Sequence, residues 1–257
     1  MKAFCASFLI LTEDSAERAV ATISTVVRRI LVYLEPATQT QRLELRPLDE
    51  NDKGILAMHG NVWKSGKQHV QRQKVALVRA IASKLREDGG FAVFHFDADT
   101  AWANRDACAN QRDFEMLRLN VEQLLRATLS HREHLPLTEL EIGRSMRKLI
   151  PLVPFWCIES WLYQETSSGA RHCHERGCGQ HRQQFEAWEK DRGALDEVER
   201  PKELVCFRDT HNARLAQGFP VAFVYDAQKS FAKAVADFLA CDDLLDALAQ
   251  TWDGRGS

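Results

Sequence analysis

The chain has 257 residues, 45% hydrophobic and 27% charged, with a formal net charge of −2. That length suits one large domain or a domain with a substantial insertion, and the near-neutral charge excludes a general nucleic-acid coat while leaving room for a local basic groove. No stretch reads as a membrane span, and seven scattered cysteines, an odd number, exclude a secreted disulfide framework and suit a reducing cytoplasm.

In chain order, Phe8 to Leu11 predicts a first core strand rather than a secretory leader, because Glu13, Asp14 and Glu17 follow at once. Ala16 to Leu34 carries Ala19, Val20, Ile23, Val26, Val27 and Ile30 at helical spacing, with Asp14 or Ser15 as N-cap. Leu43 to Leu48 alternates like a short strand, and Ile55 to Met58 is read as another. Gln68 to Arg86 reads as an amphipathic helix burying Val70, Val75, Leu77, Val78, Ile81, Ala82 and Leu85. Phe91 to Phe96 is the strongest strand signal, apolar apart from His95 and therefore central in a sheet.

Phe114 to Leu129 is helical in pattern, while Leu149 to Phe155, interrupted by two prolines, predicts a strand near an edge. A helix containing Glu159 and Trp161 begins at Cys157. Ser230 to Leu239 and Asp242 to Trp252 close the chain as helices. Strands alternating with helices predict an α/β fold, a mainly parallel central sheet flanked by helices. The organisation follows as an α/β domain over 1–166, a His/Cys-rich insertion or mobile substrate-facing segment over 167–211, and a C-terminal helical part over 212–257 that completes the same domain.

Acidic residues stand where three strands end: Glu13, the Asp97/Asp99 pair and Glu159. Residues i and i+2 of an extended segment point the same way, so Asp97 and Asp99 crowd two carboxylates together. A hard divalent cation with oxygen ligands would let both stay charged, which predicts a magnesium or manganese centre. Carboxyl ends of parallel strands are where open α/β sheets place their ligands.

The order strand, Glu13, helix, then a strand ending in Asp97-Ala98-Asp99, resembles the Toprim domain of topoisomerases, primases and OLD-family nucleases. Pro154-Phe155-Trp156-Cys157-Ile158-Glu159-Ser160-Trp161-Leu162 is similar to a segment of small stand-alone Toprim-like proteins of bacterial anti-phage defence. The family usually has glycine after the first glutamate, where this chain has Asp14. The resemblance implies a metal-dependent phosphodiester-cleaving fold, with Asp97 and Asp99 as principal ligands and Glu13 as third ligand or general base. Glu159 would complete a second metal position, and Glu17 and Asp106 would stand behind the ligands. The implied partners are nucleic acid, DNA or RNA, and a partner ATPase or defence protein.

Residues 171–181 read Arg-His-Cys-His-Glu-Arg-Gly-Cys-Gly-Gln-His. Cys173, Cys178 and His181, with Cys206 or His211 as the fourth member, are a set that structural zinc would accept, but the wide cysteine spacing favours a basic, flexible substrate loop instead. Lys64, Lys67, Lys148, Arg171 and His174 belong to basic clusters that would guide a phosphate backbone. Arg126 to His131 matches a helical ribonuclease spacing, but so does Arg176 to His181, which marks the match as fortuitous. The reading is a cytoplasmic metal-dependent nuclease of anti-phage defence. Its rivals are a manganese-dependent nucleotide-sugar transferase using the Asp-x-Asp motif and an inactive Toprim-like sensor or adaptor.

Overall fold

A computed structural model describes residues 4–13, 16–48, 67–127, 138–207 and 209–252. Its centre is a four-stranded sheet of β1 (Ala6–Thr12), β2 (Leu43–Arg46), β3 (Gly90–His95) and β4 (Leu149–Leu152), all neighbours parallel, in the order β2-β1-β3-β4. The expected central and edge positions of β3 and β4 are therefore seen. The expected strand at Ile55 to Met58, both N-cap candidates Asp14 and Ser15, Lys64, and the helix end at Leu129 lie outside the described residues.

Period-two alternation divides the strands between two hydrophobic layers. Phe8, Ile10, Phe91, Val93, Ile150 and Leu152 face one layer with Ile23, Val26, Val27 and Ile30 of α1 (Glu17–Leu34). Leu9, Leu11, Ala92, Phe94 and Leu149 face the other, with Leu77, Val78, Ile81 and Leu85 of α2 (Gln68–Arg86) and Phe114, Leu117, Val121 and Leu125 of α3 (Ala109–Ala127). α4 (Glu139–Arg147), opened by a Thr138/Glu141 capping box, joins that second layer through Ile142 and Met146. Val75, assigned from the pattern to the buried face of α2, is 47% exposed. A helix buries only a stripe, and Val75 falls on the solvent side of it.

The first layer carries the remaining helices. They are α5 (Glu159–Leu162), α6 (Thr166–Glu175), α7 (Gly179–Lys190), α8 (Asn212–Gln217), α9 (Val221–Ala227), α10 (Lys229–Leu239) and α11 (Asp242–Trp252). Cys173, Phe185, Trp188, Leu195, Val205 and Phe207 lie in the same apolar cluster as Phe8 and Phe91, so the described part of 167–211 is packed on the sheet layer. α5 is fixed by a buried polar chain: Trp161 Nε1 donates to Ser230 Oγ at 2.8 Å, and Ser230 in turn donates to Asp196. Every member is partnered, as a polar group in a dry core must be.

Because α1 and α2 cover opposite faces, the connections leaving β1 and arriving at β3 diverge there. In an open parallel sheet such a switch point leaves a crevice at the carboxyl ends of the two strands.

Candidate functional site

Glu13 follows β1 and Asp97 follows β3, so both stand at that crevice. The strands continue to hold them together beyond their last ladder pair: Glu13 N donates to His95 O at 3.0 Å, and Asp97 N donates to Glu13 Oε2 at 3.1 Å. Asp97 Oδ1 accepts from Ile158 N at 3.1 Å and lies 3.4 Å from His95 Nε2. His95 is 7% exposed, and neither ring nitrogen makes a well-formed hydrogen bond to a described residue. Sequence reasoning treated His95 as a mere interruption of an apolar strand. Its signal was a polar residue two positions before Asp97 on a central strand, hence on the same side.

Asp99 is the one described non-glycine residue with positive φ, at 51°. Aspartate tolerates this left-handed conformation better than most residues. Asn110, in the first turn of α3, donates to Asp97 O at 2.7 Å and to Asp99 Oδ2 at 3.3 Å, tying the loop to the helix. The same loop is fastened to the segment after β4 by Ala98 N to Pro154 O at 3.0 Å and Thr100 N to Phe155 O at 2.9 Å.

The electrostatics record the crowding. Burial pushes the Glu13 carboxyl above its ordinary value, the Asp97 N–H opposes this, and the charges of Asp97 and Asp99 add to the rise. Asp99 is raised by burial and by Asp97, with Asn110 opposing, although much of its side chain is exposed and solvent screens the effect. Burial also raises the neighbouring Cys157 thiol, helped by Glu159 and Asp97.

The other expected residues are placed differently. Glu159, 2% exposed, accepts from Asn212 Nδ2 at 2.8 Å and pairs with Lys202 Nζ at 3.1 Å, so its charge is already compensated. Glu17 is exposed at the start of α1, and the Asp106 side chain is 92% exposed beside Arg105. Lys148 is at the opposite end of the sheet: it immediately precedes β4, bonds Leu85 O at 3.5 Å and lies 3.6 Å from Asp243. Its expected place beside the acidic pair is corrected, because parallel strands put the start of β4 away from the end of β3. Lys67 is the N-cap of α2, a helix that returns antiparallel to the strands, and is therefore at the carboxyl edge. Arg171 and His174 are exposed on α6.

The expectation of a magnesium or manganese centre is overturned. Among the described residues, the His, Cys, Asp and Glu ligand atoms that gather within 4.8 Å of one another belong to Cys173, His181 and Cys206, and not to the strand-end carboxylates. The reason is local. Glu13 and Asp97 each spend an oxygen on a backbone N–H, and Asp99 is held by Asn110, so hydrogen bonds have taken the place expected for the cation. Sulfur and imidazole make a zinc-type set, not an oxygen-rich one. The disfavoured reading of this segment, zinc rather than a basic loop, is thus the one the geometry fits.

The cluster is built by the helical hairpin α6–α7. Gly169 permits the crossing, since a Cβ there would meet the Phe185 ring 2.4 Å away. Cys173 is fully buried on α6, Cys178 caps α7, and His181 is in its first turn. Cys173 and Cys206 sulfurs are 3.1 Å apart, as free thiols.

Comparison of the chain with protein-family models, curated proteins and solved structures gave no match. Among the described residues, no helix is long and apolar enough to cross a membrane.

Proposed function

We propose that this protein is a Toprim-like hydrolase that cleaves phosphodiester bonds of nucleic acid, in anti-phage defence, at the crevice between β1 and β3. The observation that carries the reading is the position of Glu13, His95, Asp97 and Asp99 at the switch point of a parallel sheet, where α/β folds bind ligands. Glu13, whose carboxyl burial holds above its ordinary value, is a stronger base than an ordinary carboxylate and is suited to take a proton from an attacking water. His95, with Nε2 3.4 Å from Asp97 Oδ1, is placed to return a proton to the leaving oxygen. Lys67 at the start of α2 contributes positive charge on the same edge, which a phosphate backbone needs to approach three carboxylates.

Purified protein incubated with supercoiled DNA, single-stranded DNA and tRNA, with divalent cations present and after chelation, tests this. Cleavage of at least one substrate that is lost in His95→Ala and Asp97→Ala supports the assignment. Intact substrates throughout, or unaltered cleavage by both variants, overturn it.

A further inference from the structure

Cys173, His181 and Cys206 bring three ligand atoms within 4.8 Å, and zinc in a structural site takes four. A fourth is at hand. Cys178 is half-buried beside Cys206 and is tied to Cys173 through its backbone, with Cys178 N donating to Cys173 O at 2.8 Å. The turn between them is made by Gly177 at φ 70°, which brings the two cysteines back to one side. His181 Nδ1 is buried and has no hydrogen-bond partner among the described residues, an orphaned imidazole nitrogen on a residue clustered with two thiols, those of Cys173 and Cys206.

We propose that Cys173, Cys178, His181 and Cys206 hold one zinc ion in a four-coordinate site that clips the α6–α7 hairpin to the segment carrying Lys202 and Asn212. The Cys173–Cys206 separation of 3.1 Å lies between the ~2.05 Å of a disulfide and the ~3.8 Å that two thiolates on one tetrahedral zinc require at ~2.3 Å each. Opening it by about 0.7 Å admits the metal, and the other two ligands have no role in a disulfide. Zinc displaces the thiol protons to solvent, and Arg176 adjoins Cys178 to offset the extra negative charge of three thiolates.

The clip has a destination. Cys206 lies in the chain between Lys202 and Asn212, the two residues that hold buried Glu159, and Ile158 beside Glu159 donates to Asp97. Metal at the hairpin therefore fixes the segment whose Lys202 and Asn212 hold Glu159, one residue from the Ile158 N–H that donates to Asp97. This site stands independently of the reaction assigned to that crevice.

The test is elemental analysis of the full chain purified without chelator, with cobalt(II) exchange as a second readout. One zinc per chain is expected, and wild-type cobalt protein should show tetrahedral bands with intense thiolate charge transfer. Cys178→Ser should lose zinc under a chelator that wild type withstands, and its charge-transfer band should fall by about a third as one of three thiolates is removed. Cys5→Ser should match wild type. Metal-free protein with seven reactive thiols, a Cys173–Cys206 disulfide by mass, or zinc retention and an unchanged cobalt spectrum in Cys178→Ser would each overturn the site. Should Cys178→Ser fail to fold, the wild-type zinc content and cobalt spectrum alone still decide between the outcomes.

Discussion

The carboxyl edge of the sheet and the α6–α7 hairpin both draw several ligand-bearing side chains together, and they resolve the crowding in opposite ways. At the edge the carboxylates range from half-buried Glu13 and Asp97 to exposed Asp99, and they follow two different strands. Backbone N–H groups and Asn110 absorb part of their repulsion, and the remainder appears as raised carboxyls on Glu13 and Asp99. At the hairpin the thiols are neutral when protonated, they share an apolar cluster with Phe185, Trp188 and Phe207, and the Cys173 and Cys206 sulfurs approach to 3.1 Å. Hard ligands held apart by hydrogen bonds stay available for proton transfer, whereas soft ligands packed together are arranged to be closed by a metal. One molecule thus keeps its strand-end acids separate from the sulfur and imidazole set that converges.

The sharpest way to break this division is to perturb one site and read the other. Glu13→Gln keeps size and the acceptor for Asp97 N but removes the proposed base, so on that proposal cleavage should fall by about a hundredfold or more. Its zinc content should equal wild type. Full cleavage in Glu13→Gln would remove Glu13 from the chemistry, and loss of zinc with loss of cleavage would show that the two regions are one unit.

The two regions were unequally legible in the sequence. Apolar runs and helical spacing placed the strands and the helices Gln68 to Arg86, Ser230 to Leu239 and Asp242 to Trp252, because burial by period is written directly in residue order. The strand-end acids were found for the same reason. Their chemistry was misjudged because the donors that relieve them, the N–H groups of Asp97 and Ile158 and the amide of Asn110, come from backbone or from residues without a motif. Convergence of Cys206 on Cys173, 33 positions apart, depends on how α6, α7 and the following turns pack. Sequence spacing alone made that set look loose. Helices α8 and α9 were missed as well, being six and seven residues long with too little periodicity to register.

A smaller perturbation sharpens the claim that packing gathers the soft ligands. Gly169→Ala inserts a methyl where the Phe185 ring already stands, 2.4 Å from the new Cβ. Overpacking of this kind typically costs about 1–3 kcal/mol, and here it should also spread α6 from α7 and with them Cys173 from His181. Calorimetric melting and chelator competition measure both effects. A Gly169→Ala variant as stable and as tight for zinc as wild type would mean that the hairpin geometry is not what assembles the cluster.

The smallest effect tests whether the strand-end acids still repel. Glu13 has its folded value raised above the ordinary 4.5, so whatever its protonated form contributes to stability is fully present below pH 4.5 and is lost as pH rises through the folded value. Where the group is ionised, burial and the neighbouring carboxylates oppose folding, and Glu13→Gln relieves this. The gain should appear as a higher melting temperature at pH above the folded value and should shrink to nothing below about pH 4.5. Asp99→Asn should show the same sign with a smaller amplitude, because its exposed carboxylate is screened by water. Melting curves from about pH 4 to about pH 8 make the comparison. If Glu13→Gln were less stable than wild type at neutral pH, the hydrogen bond from Asp97 N to the charged carboxylate would outweigh burial and repulsion, and the edge would be a satisfied structural cap in place of a strained reactive one.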